Sequence, residues 1–185
     1  MGQFRRIGER VVHQGYIWRV VTAEFESPEG ERFHRDIVRS PGAVGAVPVL
    51  DSSDDPVVVL VDQYRASYET TILEIPAGMR DVPGEAPEAT AARELVEEVG
   101  LYPGRLVPLG SFQPSAGMTD SVTHLFAAYD LAEVAADTQG PEERHMTVLR
   151  LQLSEAMRMV VDGRIQDGKT VIALLRLERL LRAGS

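Results

Sequence analysis

The chain has 185 residues, no cysteine and a formal net charge of −9 at pH 7. This acidic balance argues against a general affinity for nucleic acid or anionic membranes, because both need clustered Lys and Arg. The lack of cysteine excludes disulfides, a thiol nucleophile and a cysteine–zinc site. The start, "MGQFRRIGER", has no apolar signal core, and no apolar run is long enough to span a bilayer, so we expect a cytoplasmic protein.

The first part of the chain is predicted to form β-structure. The segments "YIWRVVTAEF" and "RFHRDIVRS" flank the turn "ESPEGE" and are typical of a hairpin. The segments "GAVGAVPVL" and "PVVVLVDQYR" flank "DSSDD" and indicate a second hairpin, with a buried strand in the apolar run Val57 to Val61. A boundary is predicted near Ser40 to Gly45, which divides the chain into a β segment of residues 1–41 and a main domain of residues 42–185.

Strands and helices are mixed in the remainder. The segment "TILEIPAG" is predicted to be a strand, followed by a loop and a helix from Pro87 to Val99 that is capped by Gly100. Further strands are predicted at "RLVPLGSF", "VTHLFAAYDL" and "MTVLRLQL". Ser154 is expected to cap a short helix, and a last helix is expected from about Thr170 to Leu181. This mixture favours an α/β sandwich.

The helix "AARELVEEVGL" carries Glu94, Glu97 and Glu98 at positions i, i+3 and i+4, where like charges repel. The apolar positions predicted to face the core are Ala92, Leu95, Val96 and Val99. We therefore expect the three acids to point outward. Either they form a solvated helix face, with Arg93 pairing with Glu97, or they hold a cation.

The longer stretch "GMRDVPGEAPEATAARELVEEVGL" resembles the signature of the Nudix hydrolases. In that signature a glycine and a glutamate precede Arg-Glu-apolar-x-Glu-Glu-x-Gly-apolar, and we call this stretch the box. One residue more than usual separates Gly78 from Glu85, within a Pro/Gly loop where insertions are tolerated. The resemblance implies a Nudix-type α/β/α sandwich with a mixed sheet, in addition to the small N-terminal β segment.

The resemblance also implies that the acids hold Mg²⁺ or Mn²⁺ against a diphosphate, since these hard cations prefer carboxylate oxygens. The expected metal ligands are Glu94, Glu97, Glu98 and the backbone carbonyl of Ala77. Arg93 is expected to orient a carboxylate by a charge-assisted hydrogen bond, and Glu85 to share in that network.

Other segments resemble the ADP-ribose pyrophosphatase branch of the family. The segments "QYR" and "LEIPAG" put Arg65 and Glu74 at substrate positions, and "FQPSAGMTD" supplies Ser115 and Gly117. Ala116 stands where the branch usually has proline. In that branch the N-terminal β segment exchanges between two subunits and helps to hold the adenine, so a homodimer is expected.

The resemblance implies a base that activates the attacking water from the loop "GPEERHM". Alignment on "LQLSEA" favours Glu142, with Glu143 one step away and Glu97 as a third candidate, while the alternative is a pair of exposed loop acids. Trp18 could stack on the substrate base or lie in the core or at a dimer interface.

The resemblance implies metal-dependent hydrolysis of the diphosphate of ADP-ribose, or of a related nucleoside diphosphate derivative, by attack of water on phosphorus. For ADP-ribose the products would be AMP and ribose 5-phosphate. The alternatives are a UDP- or GDP-sugar pyrophosphohydrolase and, as a different class, a non-catalytic ADP-ribose sensor. The box favours an enzyme over a sensor.

Overall fold

The computed structural model describes residues 2–138 and 140–184 and divides into two compact units. One unit consists of Met1–Gly42 and Gln113–Val122, and the other consists of Ala43–Phe112 and Thr123–Ser185. Among the described residues, no helix is long and apolar enough to cross a membrane.

The first unit contains an antiparallel three-stranded sheet in the order β1-β2-β3. Its strands are β1 (Arg5–Gln14), β2 (Arg19–Glu26) and β3 (Arg32–Arg39). The hairpin of β2 and β3 confirms the prediction, with Phe25 paired with Phe33. Strand β1 was not predicted from the sequence. Nine of its ten residues are exposed, and a strand that is exposed on both faces has no apolar alternation.

The second unit contains two sheets. A mixed four-stranded sheet has the order β7-β4-β9-β8, in which β4 and β9 are parallel and the other neighbours are antiparallel. An antiparallel three-stranded sheet has the order β10-β5-β6. The strands are β4 (Ala43–Pro48), β5 (Val57–Arg65), β6 (Thr70–Glu74), β7 (Ala77–Met79), β8 (Leu101–Phe112), β9 (Thr123–Glu133) and β10 (Thr147–Gln152).

Four helices complete the described part of this unit: α1 (Pro87–Val99), α2 (Gly140–Arg144), α3 (Leu153–Val161) and α4 (Gly168–Gly184). Helix α1 packs on β4 and β9 through a cluster that includes Leu95, Val44 and Phe126. Helices α3 and α4 pack in a larger cluster with residues from β4, β5, β8 and β9. The predicted α/β class with a mixed sheet and added N-terminal strands is confirmed.

The predicted hairpin of "GAVGAVPVL" and "PVVVLVDQYR" is wrong. Strand β4 belongs to the four-stranded sheet and β5 to the three-stranded sheet. An isolated bridge between Val49 and Val58 and a hydrogen bond from Leu50 to Val57 join the segments where β4 ends and β5 begins. The chain changes sheets in this connection because both strands are buried on two faces and each finds its own neighbours.

The segment "TILEIPAG" forms two strands, β6 and β7, rather than the single strand predicted. The predicted cap at Ser154 is also wrong, because α3 begins at Leu153 and its cap position is Gln152. The hydroxyl of Ser154 instead donates a hydrogen bond of 2.7 Å to Oδ2 of Asp55.

Leu174 is fully buried in the larger cluster, whereas its neighbour Leu175 on α4 is 47% exposed. We expect Leu174→Ala to lower the free energy of unfolding by about 2–5 kcal/mol, because the lost methyl groups leave a cavity in a packed core. Leu175→Ala is the matched control and should change it by less than about 0.5 kcal/mol. Urea unfolding measures both values, and equal losses would contradict this assignment of the core.

Candidate active site

The box helix α1 is fixed at both ends by its own sequence. Its first turn contains Pro87 and follows the extended residue Ala86. Its last turn ends at Gly100, whose φ of 63° is left-handed and whose amide donates to the carbonyls of Leu95 and Val96. Both predicted helix boundaries are confirmed, and they determine the position of every box carboxylate on the helix.

The prediction that the carboxylates lie on the outer face of α1 is wrong for Glu94 and Glu98. Glu94 is 8% exposed and Glu98 is 5% exposed, whereas Ala92 and Val96 are only half-buried. At about 100° per residue, Glu98 lies only about 60° around the helix from the core residue Leu95. The buried face of α1 therefore carries two acids, Glu94 and Glu98, beside Thr90, Ala91 and Leu95.

Glu98 is the most enclosed of the box acids. Its Oε2 accepts a hydrogen bond of 3.0 Å from the backbone N–H of Ala77 on β7. Burial raises the pKa of Glu98 to about 8, although this hydrogen bond opposes the shift. The bond places the predicted ligand residues Ala77 and Glu98 next to each other.

Glu94 lies one helical turn before Glu98. Burial raises its pKa to about 7, and the nearby guanidinium of Arg93 opposes this rise. Nη1 of Arg93 is 2.8 Å from Oε1 of Glu94. One guanidinium so close to Glu94 therefore does not fully offset the loss of water around its carboxylate.

Arg93 is the central cation of the box. Its Nη1 donates to Oε2 of Glu97 at 2.9 Å, and its Nη2 lies 3.5 Å from Glu85 and 3.6 Å from Asp81. With Glu94, four carboxylates surround a single guanidinium. The predicted orienting network of Arg93 and Glu85 is present, with Asp81 as an additional member that the sequence did not indicate.

Gly78 leaves the space that the Glu94 carboxylate occupies. A Cβ atom on Gly78 would lie 2.0 Å from Cδ of Glu94 and 2.1 Å from its Oε1. Any side chain here would force that carboxylate to move. The first glycine of the box is thus required by the position of Glu94 rather than by backbone conformation.

Arg65 on β5 and Glu74 on β6 form an ion pair whose carboxylate is buried. Nε and Nη2 of Arg65 donate to the two carboxylate oxygens of Glu74 at 2.8 and 2.6 Å. Glu74 also accepts from Lys169 on α4, and Lys169 lies 3.1 Å from Asp167. Burial opposes ionisation of Glu74, but Arg65 and Lys169 together hold its pKa below the ordinary value.

The sequence did not indicate that Lys169 belongs to this charged group. It lies 95 positions from its partner Glu74, and nothing in the sequence pairs residues at that separation. A lysine at the start of a predicted helix is ordinary, and only the fold reveals its carboxylate partner.

Glu143 on α2 lies within electrostatic range of the box. After burial and closer groups, its charge is among those that raise the pKa of both Glu94 and Glu98. Glu142 is on the same short helix and is exposed. Of the two loop acids, Glu143 therefore has the stronger interaction with the box.

The residues of the box suit a divalent cation in their chemistry. Within residues 2–138 and 140–184, no three His, Asp or Glu side chains converge in a ready metal-binding arrangement. The Glu94 and Glu97 side chains turn to Arg93 instead, and Glu98 turns to the Ala77 amide. Buried hard oxygen ligands in excess over one guanidinium fit the ligand preference of Mg²⁺-like ions.

The remaining predicted substrate residues belong to the first unit. The carbonyl of Ser115 accepts from the amides of Met118 and Thr119, each at 3.0 Å. Gly117 lines a cavity of about 440 Å³ together with Phe25 and Phe33. Trp18 is 55% exposed and lines a separate apolar cavity of about 320 Å³. Gly117 and Trp18 thus line different cavities.

Comparison with known proteins gives the family of the chain. The family model of the NUDIX domain matches residues 39–174. An ADP-ribose pyrophosphatase of Bacillus subtilis (strain 168) is 33% identical over 181 residues, which cover 97% of this chain and 96% of that one. A GDP-mannose pyrophosphatase of Klebsiella pneumoniae (strain ATCC 700721 / MGH 78578) is 35% identical over 141 residues, which cover 72% and 70% of the two chains.

A solved structure described as an ADP compounds hydrolase has the same fold, with a TM-score of 0.84 at 23% identity, over 100% of this chain and 97% of that one. The family model, these relatives and the fold together define a hydrolase. The chain belongs to the NUDIX family, whose members generally require divalent metal ions.

Gly78→Ala should displace the Glu94 carboxylate without unfolding the protein, because the clash falls on the end of a flexible side chain. We expect a loss of hydrolase activity of about 100-fold, the scale of a 1 Å displacement of a catalytic group. Gly8→Ala is the matched control, since a Cβ there meets nothing within 4 Å. Steady-state kinetics and circular dichroism test this, and full activity of Gly78→Ala would refute the proposed role of the Glu94 position.

Proposed function

We propose that the protein is a metal-dependent pyrophosphohydrolase that cleaves ADP-ribose into AMP and ribose 5-phosphate. The main support is the Bacillus subtilis ADP-ribose pyrophosphatase, whose similarity extends over 97% of this chain. The buried carboxylates of the box support a hydrolase rather than an ADP-ribose sensor, because a protein that only binds an anion gains nothing from burying acids beside it.

Mg²⁺ or Mn²⁺ would be held by Glu94, Glu97, Glu98 and the carbonyl of Ala77. The ion supplies charge neutralisation for the phosphoryl oxygens and activation of water. Arg93 would orient the carboxylates of Glu94 and Glu97, which its guanidinium contacts at 2.8 and 2.9 Å. Glu85, at 3.5 Å, in turn orients Arg93.

Arg65 and Glu74 would bind the substrate on the other side of the diphosphate. Two of the guanidinium nitrogens of Arg65 are held by Glu74, so that the guanidinium plane is fixed before substrate arrives. Preorganised cations of this kind stabilise charge that develops on phosphoryl oxygens. Ser115, Gly117 and Trp18 remain candidates for contact with the nucleoside.

The attacking water forms a new P–O bond as the bridging P–O bond breaks, and the bridging oxygen leaves with the second phosphate. A carboxylate must take the proton of that water. We assign this role to Glu143 rather than Glu142, because its charge acts on both Glu94 and Glu98. The box acid Glu97 is the reserve candidate, and its carboxylate accepts from Arg93 at 2.9 Å.

We further propose a cytoplasmic homodimer that forms through the first unit. Exposed large apolar residues support this assembly, among them Val11, Val12, Tyr16 and Trp18. Tyr16 and Trp18 line one apolar cavity, which a second copy would cover, and closed two-fold dimers are the commonest arrangement.

The Klebsiella pneumoniae GDP-mannose pyrophosphatase supports the alternative substrate class, nucleoside diphosphate sugars such as GDP- or UDP-sugars. Incubation of the purified protein with ADP-ribose, GDP-mannose or UDP-glucose and Mg²⁺ or Mn²⁺, with chromatography of the products, tests both. AMP and ribose 5-phosphate as the main products support the proposal. GMP from GDP-mannose alone favours the alternative, and tight ADP-ribose binding without products favours a sensor.

Glu98→Gln tests the metal assignment, because the amide keeps the shape and the hydrogen-bond acceptor for Ala77 but removes a charge. We expect activity to fall by about 100-fold or more, the scale for loss of a major electrostatic contributor. Mn²⁺ affinity, measured by calorimetry, should fall with it. Glu88→Gln, on an exposed position of the same helix, is the control and should retain both. A folded Glu98→Gln protein with normal turnover would rule out this ligand.

Glu143→Gln tests the base. We expect kcat to fall by about 100-fold, within the range for general base catalysis, with KM and metal affinity nearly constant. Glu142→Gln is the matched control on the same helix and should retain most of the activity. The reverse result would assign the base to Glu142, and two fully active variants would transfer the role to Glu97.

A further inference from the structure

A cavity of about 560 Å³ lies along β6, and we call it the β6 cavity. Its lining includes Arg65, Tyr68, Thr70, Glu74, Gln166 and Lys169, from the β5–β6 connection, β6 and the start of α4. Its size is within the range of about 300–1,000 Å³ of small-molecule sites. No residue of the box helix lines it, so it is distinct from the metal site.

The charges around the β6 cavity are already paired. Glu74 is shared by Arg65 and Lys169, and Lys169 also contacts Asp167 at 3.1 Å. Arg164 on the same wall pairs with Asp162 at 2.7 Å. Paired ions attract a further free charge less strongly than unpaired ones, and they also supply donors and acceptors for neutral hydroxyl groups.

Uncharged groups on the same wall strengthen this preference. Ser67, Thr70 and Gln166 are exposed side chains with hydroxyl or amide groups, and Tyr68 adds an aromatic ring. These groups match a compact polyhydroxyl ligand better than an anion or a flat apolar ring.

The β6 cavity lies close to the box. Glu74 in its wall is three residues before Ala77, whose amide binds Glu98, so at most about 11 Å of chain separates them. Arg65 belongs to the wall and also interacts electrostatically with Glu98. A diphosphate beside Arg65 could thus have its cleaved bond at the box and its far substituent in the cavity.

We propose that the β6 cavity binds the neutral sugar attached to the second phosphate of the substrate, and that Gln166 and Thr70 determine how large this sugar can be. The inference rests on the proposed function and adds a specificity site to it. The polyhydroxyl group would exchange hydrogen bonds with the paired ions and the amide of Gln166, while Arg65 holds the phosphate.

The test is a pair of cavity-filling variants, Gln166→Trp and Thr70→Trp. Activity is compared on ADP-ribose and on the methyl ester of ADP. The ester has the same nucleoside diphosphate but carries a methyl group instead of a sugar on its second phosphate. We expect each variant to lower kcat/KM for ADP-ribose by about tenfold or more, the scale of steric discrimination in a pocket. Cleavage of the methyl ester should stay within about twofold of the wild-type value, because the box is untouched.

Gln152→Trp is the matched control, since Gln152 is also an exposed glutamine of the second unit but lies outside the cavity. It should leave the ratio of the two kcat/KM values as in the wild type. An unchanged ratio in both Gln166→Trp and Thr70→Trp would overturn the sugar site while leaving the proposed function intact. A wild-type protein that cleaves neither compound would overturn the proposed function and this site together.

Discussion

The hydrogen bond from the Ala77 amide to Glu98 joins the box helix to the strand that follows Glu74. Glu98 is almost fully buried, and a buried carboxylate without a donor would lose the free energy of its hydration. The backbone amide replaces part of that hydration and fixes the position of α1 against β7. The bond brings Glu98 next to Ala77, and Gly78, which makes room for Glu94, is the next residue of β7.

A constraint of the same kind organises the opposite side of the site. Glu74 is buried and serves two cations, one on β5 and one on α4. Removing either partner would leave a buried charge less compensated, which is why such networks hold geometry more than they add stability. The box is therefore a region of excess negative charge, whereas the neighbouring group of Arg65, Glu74, Asp167 and Lys169 is balanced. The first arrangement favours a cation, and the second favours a ligand held by directed hydrogen bonds.

Much of this arrangement could be predicted from the sequence, but only where the signal is local. Pro87 and Gly100 act within one turn of helix, so the limits of α1 were predictable. The burial of Glu94 and Glu98 was not, because hydrophobicity assigns charged residues to the outside and cannot register a buried acid that a ligand requires. The change of sheets between β4 and β5 was missed for a related reason: a strand that is apolar on both faces is compatible with either sheet. The partner of Glu74 lies 95 positions away and depends on the complete fold.

The choice between Glu142 and Glu143 illustrates the same limit at the scale of one residue. Alignment of a loop can be uncertain by one position, yet successive residues on a helix point about 100° apart. Because α2 is a helix of five residues, a shift of one position exchanges a side chain that interacts with Glu94 and Glu98 for one that is exposed to water. The sequence predicts that this loop carries a base, and the fold distinguishes the two acids by their interaction with the box. The geometry of the site therefore depends on rotations and pairings that the fold imposes on residues whose chemistry the sequence already reveals.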